Sequence, residues 1–221
     1  MEYNYAIFDM DGTLVDSTGL WDAVGDTVLS HWGKHFPRSD RKDTLTMTIE
    51  GTAAYFVQHY ALPVSAATVA QMIREEAARA YAAEGAVRPG VTRVLDYFKA
   101  RGTKLCVASG TEKALVDAAL GRLGLLPYFA FTMSCETPEG KESPEVYLRA
   151  MQALGAKAPD EVLVFEDSPT AVRTAARAGF YTAAVKDTYT VGDWESLKTV
   201  ADIMVEDWNA FADTLGSTCK I

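Results

Sequence analysis

Short apolar runs that stop abruptly at polar residues recur along the chain. Tyr5-Ala6-Ile7-Phe8 ends at Asp9, Leu105-Cys106-Val107-Ala108 ends at Ser109-Gly110, and Val162-Leu163-Val164-Phe165 ends at Glu166-Asp167. Tyr181-Thr182-Ala183-Ala184-Val185 follows Gly179-Phe180, and Phe131-Thr132-Met133 and Ile203-Met204-Val205 are shorter examples. Continuous apolar runs of this length suit strands buried on both faces. Helical periodicity fills the gaps at about 90–101, 111–123, 143–154, 168–178, 193–200 and 207–215. Strand, helix and strand in repetition imply parallel pairing through right-handed crossovers. The expected fold class is α/β, a doubly wound, Rossmann-like parallel sheet.

Residues 17–87 break this rhythm. They read as helix over 18–33, 40–60 and 65–84, without a convincing buried strand, and Pro37, Pro63 and Arg88-Pro89-Gly90 punctuate them. The simplest organisation is an α/β core of residues 1–16 plus 88–221, with residues 17–87 inserted as a helical cap. Asp16-Ser17 and Arg88-Pro89-Gly90 are then the hinge candidates.

Composition narrows the class of activity. The 221 residues carry 30 Asp and Glu against 21 Lys and Arg, a formal net charge of −9. That argues against a nucleic-acid partner, which needs clustered cations. It leaves room for a small phosphorylated metabolite held by a local cation. Cys106, Cys135 and Cys219 show no metal-ligand spacing and read as reduced thiols of a cytoplasmic protein. The N-terminal residues lack a basic or signal-like stretch, and no apolar run nears the ~18 residues of a membrane span. A monomer or weak homo-oligomer is expected.

The chemistry-bearing residues cluster where strands end. In Phe8-Asp9-Met10-Asp11-Gly12-Thr13-Leu14, two carboxylates lie two apart just past a strand, on the same side of the chain, and Gly12 permits positive φ. The carboxyl ends of parallel strands are where α/β sheets bind ligands. Ser109-Gly110-Thr111 puts a hydroxyl and a flexible backbone at a helix start, which suits an anion or a plain N-cap. Lys141, in Gly140-Lys141-Glu142-Ser143-Pro144, offers a point charge or is an ordinary surface lysine. Glu166-Asp167 closes a very apolar strand with two carboxylates, a costly arrangement unless they are paired or bind metal. Each signal has a bland reading, but the four together do not.

The set Asp9-x-Asp11-Gly12-Thr13, Ser109-Gly110, Lys141 and Glu166-Asp167 resembles the four motifs of haloacid dehalogenase-like hydrolases across essentially the whole chain. The insertion resembles the helical cap of the subgroup with phosphoglycolate phosphatases and β-phosphoglucomutases. Many relatives have Pro after the loop lysine, where this chain has Glu142; Pro144 and Tyr147 keep the rest of that pattern. The resemblance implies a Mg2+-dependent phosphatase with an aspartyl-phosphate on Asp9. Asp11 is then the general acid and base, and Ser109, Gly110 and Lys141 hold the phosphate. Asp9, the main-chain carbonyl of Asp11 and Asp167 hold the metal, with Glu166 as ligand or neighbour. The alternatives are a phosphosugar mutase, a haloacid dehalogenase and a non-catalytic phospho-acceptor like a receiver domain. The mutase reading is weakened by the lack of a basic residue in Gly51-Thr52-Ala53-Ala54-Tyr55. Dehalogenation leaves Asp11 and Glu166-Asp167 unexplained, and a receiver has neither the insertion nor Asp-Gly-Thr.

Within the insertion, Arg38, Arg41, Lys42 and the turn around Gly51 are candidate substrate contacts, although solvated surface is the commoner fate of such residues. His31 and His35 read as ordinary helix residues. Trp21, Trp32, Tyr55 and Phe56 read as core of the insertion rather than a substrate shelf.

Overall fold

The computed structural model describes residues 3–137, 139–188 and 190–217. Cys219 and the first two residues lie outside them. Among the described residues, six parallel strands form one sheet in the order β5-β4-β1-β6-β7-β8. They are β1 (Tyr5–Phe8), β4 (Lys104–Ser109), β5 (Phe131–Ser134), β6 (Val162–Glu166), β7 (Tyr181–Val185) and β8 (Ile203–Val205). Every expected strand is present, and the doubly wound α/β expectation holds.

Alternation along the central strands explains the two covered faces. Ala6 and Phe8 of β1, Leu105 and Val107 of β4, and Leu163 and Phe165 of β6 join one apolar core. The intervening Ile7, Cys106, Ala108, Val162 and Val164 join another. Side chains of successive strand residues point to opposite faces, so a fully apolar run needs helices on both. Helices α5 (Val91–Ala100), α6 (Lys113–Arg122) and α10 (Trp208–Ser217) contribute to the first core. Helices α7 (Glu145–Leu154) and α8 (Pro169–Arg177) contribute to the second. The short α9 (Trp194–Leu197) covers β7 through Trp194 and Leu197.

Between β1 and α5 the chain leaves the sheet. A two-stranded antiparallel ribbon, β2 (Val15–Asp16) with β3 (Ala86–Val87), marks both crossings. The sequence reading of 17–87 as mostly helical, with its last helix ending at 84, does not anticipate β3, whose two residues are too few to leave a periodic signal. Inside the ribbon lie α1 (Thr18–Ser30), α2 (Arg38–Thr44), α3 (Ile49–His59) and α4 (Ala66–Ala83). The helix expected over 40–60 is split, because Thr48 caps α3 by accepting from the Gly51 N–H at 3.2 Å. Gly51 therefore sits in a helix, not in a turn. His31 stands at the C-cap of α1, and His35 lies beyond the helix, 2.6 Å from Asp26. The helical expectation fails for His35 because Gly33, at φ 63°, turns the chain out of the helix.

Arg88 ties the second crossing to the sheet. Its guanidinium donates to the Gly12 and Lys186 carbonyls and lies 3.3 Å from Asp187. It is more than a linker residue, and no pattern in the sequence distinguishes it. No helix among the described residues is long and apolar enough to cross a membrane.

Candidate active site

The loops after β1, β4 and β6, with the turn before α7, meet at the carboxyl edge of the sheet. Asp9, Asp11, Ser109, Gly110, Lys141, Glu166 and Asp167 all line one cavity, which continues into the helical insertion. The edge is built by register. Phe8 pairs with Val107 on one side and Phe165 on the other. The residues that follow these rungs therefore emerge side by side, and the Asp9 N–H continues the ladder to the Phe165 carbonyl at 3.0 Å.

Gly12 shapes the first loop. Its φ is +80°, and a Cβ there would collide with the Asp167 carboxylate. Glycine is required both for the left-handed backbone and for the close approach of the two loops. Thr13 closes the contact by donating to Asp167 at 3.3 Å, and the Trp208 indole holds the Thr13 carbonyl at 3.1 Å.

Lys141 is buried, not a surface lysine. It sits in a tight turn, Gly140–Glu142, and its ammonium lies between the carboxylates of Asp9 and Glu166. The Tyr147 hydroxyl donates to the same Glu166 oxygen at 2.7 Å. One Glu166 oxygen is thus engaged by a cation and a phenol, and Asp9, Glu166 and Asp167 each keep a second oxygen for other partners. Burial disfavours the charge on Lys141, but Asp9 and Glu166 outweigh it and raise its pKa above the ordinary lysine value. Burial, with the charge of Glu166 in support, raises the Tyr147 phenol far above its ordinary range, so it remains a donor.

Asp9, Glu166 and Asp167 offer oxygen atoms within 4.8 Å of one another. Three carboxylates face one ammonium. Burial raises Asp9 from 3.8 to about 8, with Lys141 opposing and Glu166 and Asp11 adding to the rise. Burial and the same crowding raise Asp167 well above the carboxylate range. Such a cluster favours a divalent cation, which would remove the repulsion. All-oxygen, hard donors fit magnesium or calcium better than a soft metal.

Asp11 faces elsewhere. Its carboxylate accepts from Ser17 at 2.7 Å, from Thr111 at 2.8 Å and from the Tyr81 hydroxyl. Tyr81 accepts in turn from the Trp21 indole at 2.9 Å. A chain of donors from α1 and α4 therefore ends on the second Asp of the first motif. Burial and the Asp11 charge hold the Tyr81 phenol protonated. Sequence reading missed Tyr81. Its helical spacing with Ala77 and Ile73 marks only a buried face, and nothing local announces that its hydroxyl reaches another segment.

The insertion also touches the edge through backbone. The Lys141 N–H donates to the Thr46 carbonyl at 3.0 Å. Gly140, at φ +57°, leaves no room for a Cβ against that same carbonyl. Of the insertion residues singled out in the sequence, Arg41 lines the cavity, whereas Arg38 reaches the Thr188 carbonyl at 3.3 Å and Lys42 is exposed. Phe56 belongs to the apolar core and Trp21 packs against it, as expected, and both line the cavity as well. Trp32 and Tyr55 pack against the apolar core as expected. Cys106 and Cys135 are free thiols, also as expected.

Comparison with known proteins agrees with this arrangement. A family model for haloacid dehalogenase-like hydrolases matches residues 3–179. A phosphorylated carbohydrates phosphatase of Thermotoga maritima is 28% identical over 174 residues, 78% of this chain and 80% of that protein. (DL)-glycerol-3-phosphatase 1, mitochondrial, of Arabidopsis thaliana is 27% identical over 217 residues, 92% of this chain and 72% of that protein. The fold matches the crystal structure of CbbY from Rhodobacter sphaeroides in complex with phosphate, with a TM-score of 0.82 and 24% identity over 94% of this chain and 95% of that one.

Proposed function

The chain belongs to the haloacid dehalogenase-like hydrolases, and from that premise we propose that it is a Mg2+-dependent phosphatase of a small phosphorylated metabolite, working through an aspartyl-phosphate on Asp9. One observation carries the reading: a buried carboxylate and a buried carboxylate pair from two strand ends, with a buried lysine from the turn before α7, line a single cavity. The names of the relatives support hydrolysis of phosphate esters.

Asp9 attacks phosphorus, and its oxygen forms the new bond as the ester oxygen leaves; the difficult displacement is split into two. Asp11 delivers a proton to that leaving oxygen and later accepts one from the water that cleaves the aspartyl-phosphate. Ser17, Thr111 and Tyr81 fix the orientation of the Asp11 carboxylate for both transfers. Lys141, with Ser109 and the Gly110 N–H, faces the phosphoryl oxygens, where charge spreads in the transition state. Asp9, Asp167 and the main-chain carbonyl of Asp11 would hold Mg2+, and Glu166 orients Lys141 instead of binding the ion. The ion supplies charge neutralisation between the anionic nucleophile and the phosphate. Residues 17–87 act as a cap on hinges at 16–17 and 88–90, and the Thr46–Lys141 contact represents the closed position. The mutase alternative is disfavoured because Gly51-Thr52-Ala53-Ala54-Tyr55 supplies no basic residue for a second phosphate. The enzyme works in the cytoplasm as a monomer or weak homo-oligomer.

A screen of phosphate monoesters with Mg2+ tests the reading. Turnover is expected, lost with EDTA, restored by Mg2+ and abolished in Asp9→Asn. Full turnover in Asp9→Asn would overturn it.

A further inference from the structure

The two ends of the cavity differ in chemistry. The sheet end is charged. The wall supplied by the insertion is formed by Trp21, Val24, Phe36, Met47, Ile49 and Phe56, among other apolar side chains. Its polar side chains are Arg41, Thr44 and Thr52. Two of them, Arg41 and Thr44, bond each other. The Thr44 hydroxyl donates to the Arg41 carbonyl at 3.1 Å and accepts from the Arg41 guanidinium at 3.3 Å. The same guanidinium lies 3.5 Å from Asp22. The Trp21 N–H is donated to Tyr81.

We infer, resting on the phosphatase reading above, that the preferred substrate is a monophosphate ester with an apolar leaving group, a ring or branched chain, and not a sugar phosphate or a bisphosphate. A sugar would bring several hydroxyls against this wall, and each buried hydroxyl without a partner is penalised. An apolar body gains by leaving water for the same surface. A second phosphate would need a cation at the far end, and Arg41, the cation among the wall's lining residues, already faces the Asp22 carboxylate. The inference departs from what the names of the carbohydrate and glycerol phosphate relatives would suggest.

The test compares kcat/KM of the wild-type enzyme with Mg2+ on 2-phenylethyl phosphate, glycerol 3-phosphate, glucose 6-phosphate and fructose 1,6-bisphosphate. Phenylethanol is no better a leaving group than glycerol, so a preference for it reports binding of the leaving group and not intrinsic reactivity. A preference of about tenfold or more for the phenylethyl ester is expected, mainly through KM. In Val24→Thr, which places a hydroxyl on the wall at nearly constant volume, that preference should shrink several-fold while inhibition by inorganic phosphate is unchanged. Preference for any of the sugar, glycerol or bisphosphate esters overturns this inference and leaves the phosphatase reading intact. Absence of turnover on all four, and on a wider set of monoesters, overturns both.

Discussion

The carboxyl edge of the sheet and the helical insertion enclose one cavity but are built by opposite rules. At the edge, Asp9, Gly110 and Asp167 directly follow strands, Ser109 and Glu166 end them, and their positions follow from the register of β4, β1 and β6, while Lys141 comes from the turn before α7. In the insertion, the lining residues come from α1, α2, α3, α4 and the connections between them, and the only local order among them is a shared helix face, as with Trp21, Val24 and Gly25 on α1. The edge concentrates charge in a dry setting, with Asp9, Lys141, Glu166 and Asp167 all less than a tenth exposed. The insertion presents mostly apolar surface, on which Arg41 and Thr44 bond each other. On the proposed reading, reaction type is set by a backbone-determined edge, and leaving-group preference by side chains that can change without disturbing it.

The largest effect should come from breaking the edge. Lys141→Met removes the cation between Asp9 and Glu166 and leaves the two carboxylates facing one another in a buried site. A fall in kcat on the order of 10^3-fold is expected, with a stability loss of about 3 kcal/mol in urea unfolding at neutral pH. A loss of activity no larger than that from a substitution in the insertion wall would erase the distinction between the two regions.

Metal removal sharpens the same contrast. Asp9 is raised from 3.8 to about 8 by burial, and Asp167 is raised as well. The folded, metal-free protein therefore binds more protons than the unfolded chain across this window. Its stability must fall as pH rises from about 4 toward 8. A divalent cation held by these residues would need them ionised, so on the proposed reading the stabilising effect of Mg2+ grows with pH. Thermal melts in EDTA should drop by several degrees over this range, at about 2–4 °C per kcal/mol for a chain of this size. Saturating Mg2+ should flatten the curve. A metal-free melting temperature that rises with pH would contradict the crowded-carboxylate picture.

A smaller effect is expected where the regions meet. Tyr81→Phe removes the hydroxyl that links Trp21 to Asp11 but keeps the buried ring. The loss of a hydrogen bond to a charged group predicts a fall in kcat of about tenfold with KM little changed. An altered pH profile of kcat should accompany it, and a change confined to KM would place Tyr81 in substrate binding instead.

Legibility in the sequence follows the same division. The six strands and the chemistry at their ends could be read because an apolar run ending in Asp, Ser-Gly or Glu-Asp is a local signal. Lys141 could be read as a candidate, but its burial depends on Asp9 and Glu166, which arrive from elsewhere in the chain. Tyr81 and Arg88 were illegible in their roles. Their partners Asp11 and Gly12 are 70 and 76 residues away, and their own surroundings look like a helix face and a turn. Trp21 and Phe56 carry the same periodicity whether they pack inward or line a cavity, so periodicity could not assign them.

The covalent step at the edge can be examined directly. During turnover with a Mg2+-loaded enzyme, rapid acid quenching followed by borohydride reduction converts a phosphorylated aspartate to homoserine, which peptide mass spectrometry locates. Attack by Asp9 predicts homoserine at position 9 alone, present only with substrate and absent in Asp9→Asn. Steady turnover with reduction at another carboxylate, or with an unmodified Asp9 at every quench time, would contradict it.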